Sequence, residues 1–112
     1  MTIIDELYQV LQERKEASPK DSYVASLYGK GAEKMCAKIR EEAEEVIVEA
    51  LALNGHESVE TIRNKLKGEA VDLMFHLWIL LAHYNITPDD IHTIFQERFG
   101  ISGHTEKASR DQ

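Results

Sequence analysis

Apolar residues recur along this chain at intervals of three and four positions and hardly ever at alternate ones, so the pattern predicts helices and almost no strand. Ile3, Leu7, Val10 and Leu11 mark a first helix running to about Lys15, opened by Thr2-x-x-Asp5, which resembles a capping box, and followed by Pro19. Residues 18–31 read as a loop with at most a short helical turn, ending in a glycine pair around Lys30, and make a candidate ligand loop. From Ala32 to Leu53 the residues Met35, Ile39, Ala43, Val46, Ile47, Ala50 and Leu51 hold the helical period, and Asn54-Gly55 supplies the stop. A third long helix is expected from about Ser58 to Tyr84, closed by Asn85. Its second half is apolar almost all the way round, as in a helix covered on every side. Thr87-Pro88-Asp89-Asp90 has the cap, proline and acids of a helix start, and the helix it opens should carry Ile91, Ile94 and Phe95 inward and end near Gly100. The expectation is an all-α fold: one domain over residues 1–112, a bundle of four to five helices with a polar tail at 102–112. In so short a chain, full cover for the apolar helix suggests a homodimer formed through it.

Composition narrows the class of partner more than the fold. The 112 residues are 43% apolar and carry a net charge of -7, with a pI near 5.2, which argues against nucleic acid or an anionic membrane surface, since either demands a basic face. No apolar run approaches the roughly 20 residues that cross a bilayer, so no membrane partner is expected. The single cysteine, Cys36, cannot close a disulfide within the chain, and the N-terminus lacks the build of a signal peptide, so a cytoplasmic location is expected. Cys36 lies on the apolar stripe of its helix and reads as a small core residue rather than a nucleophile.

Two acidic pairs at helical spacing, Glu42-x-x-Glu45 and Glu69-x-x-Asp72, are the candidate chemistry. The second pair adjoins the apolar run that begins at Leu73, where an isolated carboxylate costs several kcal/mol, roughly, unless a cation offsets it. At about 100° per residue, Lys38, Glu42, Glu45 and Glu49 fall in one arc on the shoulder of the buried face of their helix. Glu69, Asp72 and His76 share an arc on the next. An antiparallel hairpin of these helices would turn four carboxylates toward one another. Oxygen donors without a cysteine or a histidine pair suit a hard cation, magnesium first and manganese as a substitute. Such a site can hold phosphate oxygens and activate a water for phosphoanhydride hydrolysis. The rival reading is a solvated acidic face, because 20 acids in 112 residues produce such spacings by chance. His76 is either an orienting partner for Asp72, a substrate contact, or a hydrogen-bonded core residue; His56, His83, His92 and His104 show no ligand spacing.

The residues also resemble a known family, the phosphoribosyl-ATP pyrophosphatases of histidine biosynthesis, within the all-α superfamily that includes MazG and the dimeric dUTPases. The likeness runs through Ser22-Tyr23-Val24-Ala25-Ser26-Leu27, Lys30-Gly31, Lys38 to Val46, Glu69-Ala70-Val71-Asp72-Leu73 with His76, and Gly103 with Glu106-Lys107-Ala108-Ser109-Arg110. That resemblance implies hydrolysis of phosphoribosyl-ATP between its α and β phosphates, giving phosphoribosyl-AMP and pyrophosphate. It implies Glu42, Glu45, Glu69 and Asp72 as magnesium ligands, and Glu41 as a further acid assisting a second ion or the attacking water. Lys30, Lys38, Lys107 and Arg110 become the cations that meet phosphate, and the tail becomes a possible lid. Some relatives carry a cyclohydrolase domain before this one. Its absence here leads to the expectation that a separate cyclohydrolase acts on the product. The alternatives are a housecleaning nucleoside triphosphate pyrophosphatase using the same acids, and a non-catalytic helical module whose acids are only surface.

Overall fold

The computed structural model describes residues 2–100, and the expected lid with Lys107 and Arg110 lies outside them. Five α-helices follow one another: α1 (Ile3–Glu13), α2 (Tyr23–Lys30), α3 (Ala32–Leu53), α4 (Glu60–His83) and α5 (Pro88–Phe99), with a 3-10 turn at Arg14–Glu16. No strand occurs among the described residues, as the hydrophobic period requires.

The helix starts follow from local chemistry. Thr2 caps α1 by accepting from the Asp5 N–H at 3.2 Å, while the Asp5 carboxylate accepts from the Thr2 N–H and the Thr2 hydroxyl, each at 2.9 Å, and those two bonds to the carboxylate hold its pKa below the ordinary value. Thr87 and Asp90 repeat the arrangement at α5, behind Pro88. Residues 18–31 depart from the expected loop, because Ser22 accepts from the Ala25 N–H at 3.1 Å and nucleates α2. An eight-residue helix is too short to show a clear period, and packing supplies what propensity cannot: Val24, Ala25 and Leu27 are all buried. Gly31 joins α2 to α3 at φ 89° and ψ -179°, a conformation essentially confined to glycine.

α3 and α4, linked by residues 54–59, form the antiparallel hairpin that is the most extensive helix contact in the molecule. α1 lies against α4 and α2 against α3, closing a core of Leu11, Val24, Leu27, Met35, Ile79 and Ala82. Polar ties fix this arrangement. The Tyr28 hydroxyl donates to the Leu11 carbonyl at 2.9 Å, and burial pushes its pKa to about 12. Gln12 donates to the Ala82 carbonyl at 3.2 Å, and Lys15 to the Asn85 side chain at 2.8 Å, where Asn85 turns the chain at φ 58°.

The expectation for α5 needs correction. Ile91 is half-buried, but Ile94 and Phe95 are 44% and 47% exposed, because α5 packs only lightly and chiefly on α1. The all-round apolar half of α4 is likewise incompletely covered: Val71, Met74 and Leu77 remain exposed. With Ile3, Ile4, Leu7 and Val10 of α1, Val71 and Met74 line an apolar groove of about 560 Å³.

Candidate active site

The α3–α4 hairpin brings the two acidic pairs together. Oxygens of Glu42, Glu69 and Asp72 lie within 4.8 Å of one another. Glu42 is 7% exposed, and its Oε2 is buried with no hydrogen-bond partner; Glu69 Oε2 is buried and unpartnered in the same way. An unpaired buried carboxylate oxygen is costly, by about 1 to 3 kcal/mol for an ordinary polar group and more for a charged one. Two such atoms side by side therefore mark a place prepared for something positive.

The protonation chemistry agrees. Glu69 is pushed up to about 7, first by hydrogen bonding with the Glu45 carboxyl, then by burial and by the charges of Glu45, Asp72 and Glu42. Glu42 is raised by burial first and then by Glu45, against the lowering influence of His76 and Lys38. Crowded like charges and burial thus favour the protonated forms of these acids, and a cation among them would relieve the same repulsion. Glu45 thus belongs to the cluster electrostatically, although it is exposed and outside the tightest oxygen set.

The other expected residues are placed less uniformly. Lys38 reaches Glu41 at 3.3 Å and Glu42 at 3.7 Å, which leaves a cation at the rim of the acids. Burial opposes the Lys38 charge, but Glu41, Tyr23 and Glu42 outweigh it and the pKa rises. Glu41 is exposed and turned to Lys38, consistent with its angular offset from Glu42 and Glu45. Lys30 ends α2 as an exposed residue. His76 is buried, and its Nδ1 bonds the Asp72 backbone carbonyl at 2.7 Å rather than the Asp72 carboxylate.

One member of the site carried no role in the sequence reading. The Tyr23 hydroxyl lies 2.8 Å from His76 Nε2, and the two rings meet edge to face at 5.8 Å. Burial raises the Tyr23 pKa, and the charges of Lys38, Glu42 and Glu41 all act on it. Tyr23 and His76 are 53 positions apart on different helices, a pairing that no periodicity could signal.

An all-α fold that gathers carboxylates from two antiparallel helices around buried, unpartnered oxygens defines a helical protein with an acidic centre suited to a cation. Comparison with known proteins gives the particular family. The family model described as phosphoribosyl-ATP pyrophosphohydrolase matches residues 4–99, and the chain belongs to that family. A protein named phosphoribosyl-ATP pyrophosphatase from Geobacter sulfurreducens is 44% identical over 110 residues, covering 98% of this chain and 94% of the relative. Relatives of the same name from Hydrogenovibrio crunogenus and an Azoarcus species are 43% and 40% identical, again over 98% of this chain, and over 94% and 98% of their own lengths.

Proposed function

We propose that this chain hydrolyses phosphoribosyl-ATP between the α and β phosphates, releasing phosphoribosyl-AMP and pyrophosphate, in histidine biosynthesis. The observation that carries this reading is the cluster of Glu42, Glu69 and Asp72 with its two buried unpartnered oxygens, in a chain whose relatives bear that activity in their names. The donor set fits a hard cation: all oxygen, close together and including two buried oxygens without hydrogen-bond partners. Glu42, Glu69 and Asp72 would hold magnesium, with Glu45 completing the set and manganese a substitute. Bound magnesium would supply charge neutralisation for phosphate oxygens and a water acidic enough to act near neutral pH.

The chain's own residues do the rest. The acids, once neutralised, no longer repel a polyphosphate, and Lys38 at the rim offers a charge-assisted donor to it. Lys30 is a further candidate for phosphate contact, as are Lys107 and Arg110. Glu41, tied to Lys38, stands where it can position that lysine or assist a second ion. The exposed Val71, Met74 and Leu77 support a homodimer formed across α4. Among the described residues no helix is long and apolar enough to cross a membrane, and the lone cysteine and the nucleotide chemistry favour a cytoplasmic enzyme.

Pyrophosphate release tests the reading directly. Phosphoribosyl-ATP should be turned over in magnesium far faster than ordinary nucleoside triphosphates, and Asp72→Asn should lose on the order of 100-fold or more in kcat/KM. Turnover of ordinary triphosphates with none of phosphoribosyl-ATP would instead identify a housecleaning pyrophosphatase. Activity indifferent to chelation would remove the cation from the scheme.

A further inference from the structure

A cavity of about 440 Å³ opens next to the acids without being part of them, where the 3-10 turn after α1, the start of α2 and the middle of α4 meet. Arg14, Asp21, Ser22, Tyr23 and Phe75 line it. Tyr23 joins the two places: it lines the cavity, while its hydroxyl lies 2.8 Å from His76 Nε2, and His76 Nδ1 in turn bonds the Asp72 carbonyl at 2.7 Å. Phe75 meets the His76 ring edge to face at 5.5 Å from the opposite wall. Two charges in the cavity have no partner in the protein. Arg14 and Asp21 are exposed, and neither side chain makes an ion pair or hydrogen bond among the described residues. Arg14 can only donate, in a fork that matches a phosphate; Asp21 as a carboxylate can only accept, which suits hydroxyls. Inorganic phosphate would satisfy the first and be repelled by the second. A sugar phosphate satisfies both, and Tyr23 and Phe75 offer apolar surface to whatever carries it. The cavity that holds Arg63 and Lys67 is smaller, about 270 Å³, no acid lines it, and its arginine already donates to the Glu57 carbonyl at 3.1 Å.

We propose that this cavity receives the ribose 5-phosphate carried on N1 of the adenine in phosphoribosyl-ATP, and that Arg14 is the specificity-determining residue that holds its phosphate. That group is all that distinguishes the substrate from ATP, and it projects from the edge of the base away from the triphosphate. With the triphosphate at Glu42, Glu69 and Asp72, the added sugar phosphate finds beyond Tyr23 a cation for its phosphate and, in Asp21, an acceptor for its hydroxyls. The inference rests on phosphoribosyl-ATP being hydrolysed at those acids, and it adds the residue that reads the part of the nucleotide ATP lacks.

Steady-state pyrophosphate release by the whole chain in magnesium, with ATP as a competing inhibitor, tests the assignment. The contact is remote from the reacting phosphates and equal in ground and transition states, so Arg14→Gln should raise KM for phosphoribosyl-ATP by on the order of 10- to 100-fold and leave kcat within about twofold. ATP has nothing to place in the cavity, so its inhibition constant should stay within about twofold of the wild-type value. Arg14→Lys keeps the charge without the fork and should recover part of the loss. Because the Arg14 side chain bonds to nothing else among the described residues, these substitutions remove no contact of the fold. A wild-type KM in Arg14→Gln overturns the proposal. So does an equal weakening of ATP, which would make Arg14 a contact of the triphosphate or a part of the scaffold, and so does a rise in KM found in Lys67→Gln instead. A wild type that releases no pyrophosphate from phosphoribosyl-ATP overturns the functional reading itself, a result distinguishable from all three.

Discussion

Among single residues, Glu69 concentrates the energetic conflict of the site. Its pKa in the folded chain is pushed up to about 7 against 4.5 for an ordinary glutamate carboxyl, so between those values the folded state binds more protons than the unfolded one. Stability contributed by that proton is present at low pH and is lost as pH rises through about 7. The metal-free protein should therefore lose melting temperature as pH climbs from about 4.5 to 7, more steeply than a Glu69→Gln variant, which has no proton to lose. Magnesium should flatten the wild-type profile by taking the proton's place, and it should do little for Glu69→Gln. Equal pH slopes in the two metal-free proteins would show that Glu69 is not the strained group. The identity of this residue as an acid beside an apolar run was legible in the sequence. Its elevated pKa was not, because its first cause is the Glu45 carboxyl, which arrives from another helix, and its next is burial.

Within single elements, the glycines around the α2–α3 joint separate backbone strain from packing. Both Gly29 and Gly31 have open space where a Cβ would project, yet only Gly31 sits at positive φ. Gly31→Ala should cost about 1 to 3 kcal/mol through the backbone alone. Gly29→Ala, inside α2, should add about 1 kcal/mol of stability, and urea denaturation of the pair reads both signs. A cap can be tested in the same way at the other end of the molecule: Thr87→Ala should cost about 1 kcal/mol while leaving pyrophosphate release intact, since α5 contributes no residue to the acid cluster. At this scale the sequence was most informative, since Ala32–Leu53 matched the expected bounds and the α1 and α5 caps formed as read. The miss at α2 came from a helix of eight residues whose stability lies in burial rather than in its own period.

For the whole molecule, the shape is open. The radius of gyration is 17.0 Å, against about 13 Å for a compact domain of 100 residues, and apolar side chains on α1, α4 and α5 remain in solvent. A surface of that kind is a liability in a lone chain and an asset in an assembly. Val71 and Met74, 62% and 50% exposed, make the most informative substitutions. If α4 forms the proposed dimer, the wild type should sediment as a dimer and a Val71→Lys/Met74→Lys variant should keep its helical content but sediment as a monomer. Monomeric wild type at micromolar concentration would rule out the proposed assembly. Ile79→Ala, by contrast, empties a fully buried position and should cost about 2 to 5 kcal/mol whatever the oligomeric state.

The sequence by itself determined what is local: where the longer helices start and stop, which residues share a face, and that each acidic pair spans one turn of its own helix. Caps, breakers and a 3.6-residue period act over a few positions, so they can be read from a few positions. Tertiary structure alone decided which of those acids meet. It placed Glu42, Glu69 and Asp72 in one tight set, kept Glu45 at its edge, and paired Glu41 with Lys38 at the rim. It also brought the Tyr23 hydroxyl onto His76, 53 positions further along the chain. Those contacts depend on how α2 and α4 pack against α3, and packing is set by the shape of the buried surfaces rather than by any interval along the chain.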